Sequence, residues 1–139
     1  MVPSESLEQT EYYGYVLELE LYNSSSEPKI MRNIELLFLN GKRILKETVP
    51  RDDALTIRRQ HYSSFYDVEP INIPPKTVLR YKLENGFHDK NNGLSFIWET
   101  TSIIMRYTNE KDKVKKVPIK SEIYRNYFNS HKQEDKPND

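Results

Sequence analysis

The stretch Tyr15-Val16-Leu17-Glu18-Leu19-Glu20-Leu21 restricts what this chain can fold into more than any other. Leu17, Leu19 and Leu21 fall on one side of an extended backbone, Glu18 and Glu20 on the other. That period of two marks a half-buried β-strand, one face in a core and one in water. Tyr13 and Tyr15 extend the leucine face, so the strand is read over about residues 12–22. Asn23 to Pro28 closes it, because Ser and Asn bond their own backbone and Pro cannot continue a ladder.

Later apolar runs repeat the device. A strand over about residues 30–39 carries Ile34, Leu36 and Phe38 on one face and Met31, Leu37 and Leu39 on the other. Asn40-Gly41 follows, a pair suited to the central positions of a type I′ hairpin, and the return strand runs to Val49, where Pro50 stops it. Strands are also expected over about 76–84 (closed by Asn85-Gly86), 94–100, 102–108 and 114–120, with His88 to Gly93 as a loop. Ser121 is placed to cap a short helix in which Ile123 pairs with Tyr127 and Tyr124 with Phe128. The sum is about seven strands, with turn signals every eight to twelve residues and no helix long enough for a crossover. An all-β, antiparallel two-sheet sandwich with a short C-terminal helix fits that pattern, and a small closed barrel competes with it. Residues 1–11 read as a flexible lead-in, 12–128 as the sandwich domain and 129–139 as a disordered tail.

Composition narrows the function classes. No cysteine is present among the 139 residues, so thiolate nucleophiles, disulfides and Cys-ligated zinc drop out together. Lys plus Arg equals Asp plus Glu at 21 each, which disfavours a partner held mainly through phosphates. No run is long and apolar enough to span a membrane, and the first residues lack a signal-peptide pattern. The expected location is cytoplasmic, or alternatively a soluble extracytoplasmic fragment of a membrane-tethered protein.

The run Leu19-Glu20-Leu21-Tyr22-Asn23-Ser24-Ser25-Ser26-Glu27-Pro28-Lys29-Ile30, continuing through Arg32-Asn33-Ile34-Glu35-Leu36 to Gly41-Lys42, resembles the opening strands of immunoglobulin-like sandwich domains. Ile71-Asn72-Ile73-Pro74-Pro75-Lys76 is similar to the segment before a mid-domain strand in the same domains. The version resembled occurs in small bacterial and phage proteins of unknown function, and the likeness covers about residues 12–120. It implies an immunoglobulin-like fold with an adhesive or protein-binding role and transfers no catalytic residue. No cysteine pair flanks Trp98, so the inter-sheet disulfide of immunoglobulins proper is missing.

Chemistry-bearing constellations are sparse. His61, His88 and His131 are far apart, and the acids Asp52, Asp53, Asp67 and Glu69 read as solvated loop surface, so no metal or cofactor is assigned. Neither a nucleophile elbow nor a phosphate-cradling glycine loop occurs. A hydrolase would need His61, Asp52 and Asp67 in one cleft, which is not expected, and the chain is read as non-enzymatic.

Residues 58–66, Arg58-Arg59-Gln60-His61-Tyr62-Ser63-Ser64-Phe65-Tyr66, are the most distinctive local composition. Arginine and aromatics are enriched at binding hot spots, and a long loop on a rigid sandwich is a usual place for recognition. Arg58, Arg59, His61, Tyr62 and Tyr66 are therefore the candidate binding residues. The structural alternative has Tyr62, Phe65 and Tyr66 plugging the sandwich end while the arginines pair with Asp52 and Asp53. The leading expectation is a protein-interaction module acting through this loop or by strand addition at a sheet edge. A nucleic-acid or carbohydrate binder that stacks ligands on Arg59, Tyr62 and Tyr66 is the alternative. Finally, Glu18 and Glu20 are expected to face the lysine-rich strand around Lys111–Lys120 across a ladder.

Overall fold

The computed structural model describes the backbone of residues 11–88 and 94–130. Residues 1–10, 89–93 and 131–139 lie outside the described residues, and with them most of the expected lead-in (1–11), loop (88–93) and tail (129–139); Glu11, His88, Asn129 and Ser130 are in strands instead. The strands are β1 Glu11–Asn23, β2 Lys29–Asn40, β3 Arg43–Thr48, β4 Arg51–Asp52, β5 Ile57–Arg58, β6 Ser63–Ser64, β7 Ile71–Ile73, β8 Thr77–His88, β9 Ser102–Thr108, β10 Val114–Pro118 and β11 Tyr124–Ser130. One sheet has the order β11-β1-β8-β4, the other β10-β9-β2-β3 with β7 also on β2. Every pairing is antiparallel. β1 and β2 are consecutive yet lie in different sheets, as do β7 and β8, so the chain passes repeatedly between layers. That is a sandwich and not a closed barrel.

The alternating leucines do what their spacing requires. Tyr13, Tyr15, Leu17 and Leu19 of β1 and Leu83 of β8 meet Ile34, Leu36 and Phe38 of β2 and Met105 of β9 in one core. Met31 joins that core although its parity puts it on the opposite face. The register of β2 against β9 shifts between Arg32 and Glu35, and Asn33 has φ 54°. This bulge turns the strand by one residue, so odd and even positions share a side across it. Aromatic rings fill one end: Phe38 lies edge-on to Phe96 at 5.2 Å and to Phe87 at 5.8 Å, and Tyr15 stacks on Tyr124 at 5.9 Å.

Several local expectations are corrected. The hairpin after β2 pairs Asn40 with Arg43, so its central residues are Gly41 and Lys42, and only Gly41 has positive φ (62°). Asn85-Gly86 does not turn the chain; β8 runs through it to His88. Gly86 pairs with Gly14 in the ladder, and each glycine lies under an aromatic ring. A Cβ at Gly86 would stand 2.0 Å from the Tyr12 hydroxyl, and one at Gly14 2.3 Å from Cζ of Tyr127. Close approach explains these glycines. The segment Leu94 to Thr100 is a turn and a helical turn over Phe96–Glu99, since a short apolar run carries no period that separates helix from strand. Leu94 and Phe96 are buried as a strand would have them, but Trp98 is 79% exposed.

The expected C-terminal helix is likewise replaced. Ser121–Ile123 forms one 3-10 turn, and Tyr124–Ser130 is strand β11 along β1 from Leu17 to Glu11. Pairing with an open sheet edge outweighs a helical preference that rested on two side-chain pairs. The lysine strand is also displaced from its expected place: β10 pairs with β9 in the other sheet. Glu18 instead meets Arg125 at 2.9 Å and Glu20 meets Arg80 at 2.7 Å.

The buried tyrosines set a limit at alkaline pH. Burial pushes the phenols of Tyr12, Tyr15 and Tyr124 above their ordinary value, and for Tyr124 the Tyr13 hydroxyl at 2.5 Å adds to the effect. A raised folded-state value means the unfolded chain releases these protons first. The associated stability is therefore whole below about pH 10 and is lost as pH rises beyond it. Urea unfolding midpoints should hold steady to about pH 9.5 and fall steeply above it, with the ionisation of Tyr12, Tyr15 and Tyr124 coinciding with unfolding. Phenolate absorbance that develops fully before unfolding would contradict this.

Candidate functional site

The segment between β4 and β7 leaves the sandwich as a closed excursion and not as a slack loop. At its base, Asp52 N–H donates to the Tyr66 carbonyl at 3.0 Å and Val68 N–H to the Pro50 carbonyl at 2.9 Å. The Asp52 carboxylate accepts the Ala54 N–H at 3.0 Å and so caps the 3-10 turn Asp53–Leu55. Further out, Ile57 pairs with Ser64 and Arg58 with Ser63, making a two-stranded ribbon. Arg59 N–H donates to the Tyr62 carbonyl at 2.7 Å, closing a tip with Gln60 and His61 at its centre.

Arg58, Arg59, His61 and Tyr62 are thereby gathered on one hairpin tip, and Tyr66 lies on the returning segment at the base. All five are exposed. Tyr62 is 63% exposed, Phe65 46% and Tyr66 47%, so these aromatics do not plug the sandwich. Of the ion pairs in the structural alternative, Arg58 with Asp53 forms at 3.0 Å, whereas Asp52 is taken up by its cap. The Arg51 guanidinium lies 4.0 Å over the Phe65 ring and also bonds Glu84 of β8 at 2.7 Å. That double contact fastens the excursion to the sheet and was not visible in the sequence, where Arg51 is one arginine among several.

The arrangement offers contact area and hydrogen-bond donors. His61 sits at the tip, the Asp52 carboxylate caps a turn below it, and Asp67 bridges the Arg51 backbone from the exposed surface. Among the described residues no three His, Asp or Glu side chains converge as metal ligands would. No helix of the described residues is long and apolar enough to cross a membrane.

Two antiparallel sheets packed face to face, with β1 and β8 in one and β2 and β9 in the other, define an immunoglobulin-like domain. The chain matches the family model of the YopI Ig-like domain over residues 3–120 and belongs to that family. Strand β11 falls beyond the matched residues. No curated protein and no solved structure is similar enough to match the chain.

Proposed function

We propose that this domain is a non-catalytic module that binds a protein through the hairpin excursion at residues 51–70. The supporting observation is the exposure of Ile57, Tyr62, Phe65 and Tyr66 beside Arg58 and Arg59 on a backbone closed by its own hydrogen bonds. Large apolar rings held in water by a well-ordered ribbon gain from being covered, and Tyr and Arg are the residues that most often carry interface energy. A pre-closed loop also loses little conformational freedom on binding.

The test is affinity capture from the native host with the intact domain and an Arg58→Ala/Arg59→Ala/Tyr62→Ala variant in parallel. The variant should lose the captured polypeptide while its melting temperature shifts by no more than about 2 °C, because exposed substitutions change stability little. Capture that survives the substitutions would remove the loop from the site. A ligand whose binding collapsed with salt in the steep manner of phosphate contacts would favour the nucleic-acid reading instead.

A further inference from the structure

Among the described residues, the side of the sandwich between β1 and β10 is open. Strand β11 covers the edge of β1 from Glu11 to Leu17 and starts no earlier than Tyr124, so Glu18–Asn23 has no strand beside it on that edge among the described residues. Alternate residues there direct N–H and C=O groups outward with no ladder to receive them. Across the gap stands β10, itself an edge strand. The two edges enclose a groove of about 870 Å³.

The groove walls have a definite chemistry. Val117 pairs with Met105 and Lys115 with Tyr107, so both point to the inner face of their sheet, where a completed sandwich would cover them. Val117 is nevertheless 40% exposed and Lys115 is exposed. Near Val117 the floor is apolar, with Ile119 and Ile123. Toward the Asn23 end it turns basic with Lys113 and Lys115, which have no ion-pair partner among the described residues. The acids nearby are engaged: Glu18 with Arg125, Glu20 with Arg80, and Glu110 with Lys29 at 3.5 Å and with the Ile30 N–H at 3.2 Å.

We propose that this groove accepts an extended peptide strand from a partner, antiparallel to β1 at Glu18–Asn23, with acidic inward side chains at its N-terminal end and apolar ones at its C-terminal end. The edge already accommodates an antiparallel strand, since β11 pairs along its other half. The two described chain ends, Glu11 and Ser130, pair at the far end of β1, away from the groove. Main-chain bonds would supply affinity, and the lysine-to-valine gradient would fix direction and register. This site is separate from the hairpin surface and does not depend on it.

The test uses the full chain and a fluorescein-labelled peptide, Thr-Glu-Thr-Glu-Thr-Val-Thr-Val-Thr, read by anisotropy and by amide hydrogen exchange. Saturable binding should slow exchange at the open-edge amides of Glu18–Asn23. Lys113→Glu/Lys115→Glu, or a peptide with Lys in place of Glu, should weaken binding at least about tenfold, the scale of one or two lost charge contacts. The Arg58→Ala/Arg59→Ala/Tyr62→Ala variant should bind the peptide as the intact domain does, which separates this result from the hairpin reading. No saturable binding, or binding indifferent to lysine reversal, would overturn the proposal and leave the lysines as guards against edge pairing. Edge amides already protected in the free protein would overturn it too: at every concentration they mean cover by the chain itself, and only at high concentration cover by a second copy.

Discussion

Phe38→Ala should destabilise the domain by about 3–5 kcal/mol and lower its melting temperature by about 10 °C or more. Phe38 is 1% exposed and stands where the two sheets and the helical turn meet. Its ring is edge-on to Tyr15, Phe87 and Phe96, with centroids 6.2, 5.8 and 5.2 Å away. Truncation forfeits the transfer energy of the ring and leaves a cavity that three other rigid rings cannot collapse to fill. Ile44→Ala, at a site 43% exposed, should change stability by less than about 0.5 kcal/mol. Urea unfolding of both variants checks the pair. A loss below about 1 kcal/mol at Phe38 would mean that the aromatic cluster is not the centre of the core.

Arg51→Met should cost about 2–3 kcal/mol, less than a fully buried charge pair because both partners keep some contact with water. Arg51 and Glu84 have side chains only 21% and 13% exposed and bond at 2.7 Å. Burial works against the Arg51 charge, but its bond to Glu84 and the Glu84 charge more than offset this and hold the guanidinium above its usual value. Removing Arg51 leaves a carboxylate in a poorly hydrated place. The pair is also imperfect: Arg51 Nε and Glu84 Oε2 are buried without hydrogen-bond partners. Arg51→Met/Glu84→Met should therefore recover most of the loss, since two matched apolar side chains avoid the unpaired charge. A double-mutant cycle measures the coupling, and strictly additive losses would contradict it. Because Arg51 also covers Phe65, the single variant should weaken partner capture beyond its effect on stability.

How much of this was legible depended on whether a residue's role is set locally. The alternation of Leu17, Leu19 and Leu21 located β1 and its buried face without help. Gly86 was misread because a glycine that makes room for a ring looks the same as one that makes a turn; Tyr12 is 74 positions away. Met31 changed face at a bulge marked by the left-handed Asn33 and a register shift against β9, neither of which periodicity announces. β11 was misread because an open edge on β1 cannot be known before the strand order is. For the same reason the groove beside Glu18–Asn23 has no signature in the chain. Composition singled out Arg58, Arg59, His61, Tyr62 and Tyr66; the fold gathers the first four at the hairpin tip and leaves Tyr66 at its base. The hairpin's closure through Arg59 and Tyr62, and its fastening by Arg51, needed the fold.

That the hairpin excursion is a protein-binding surface can be tested by photo-crosslinking in the native host. A benzophenone amino acid would replace Tyr62, with the same group at Ile44 on β3 as control. The expected result is a discrete polypeptide adduct from position 62 that position 44 does not give. An adduct equally strong from both positions, none from either, or one made only to nucleic acid or glycan would contradict it.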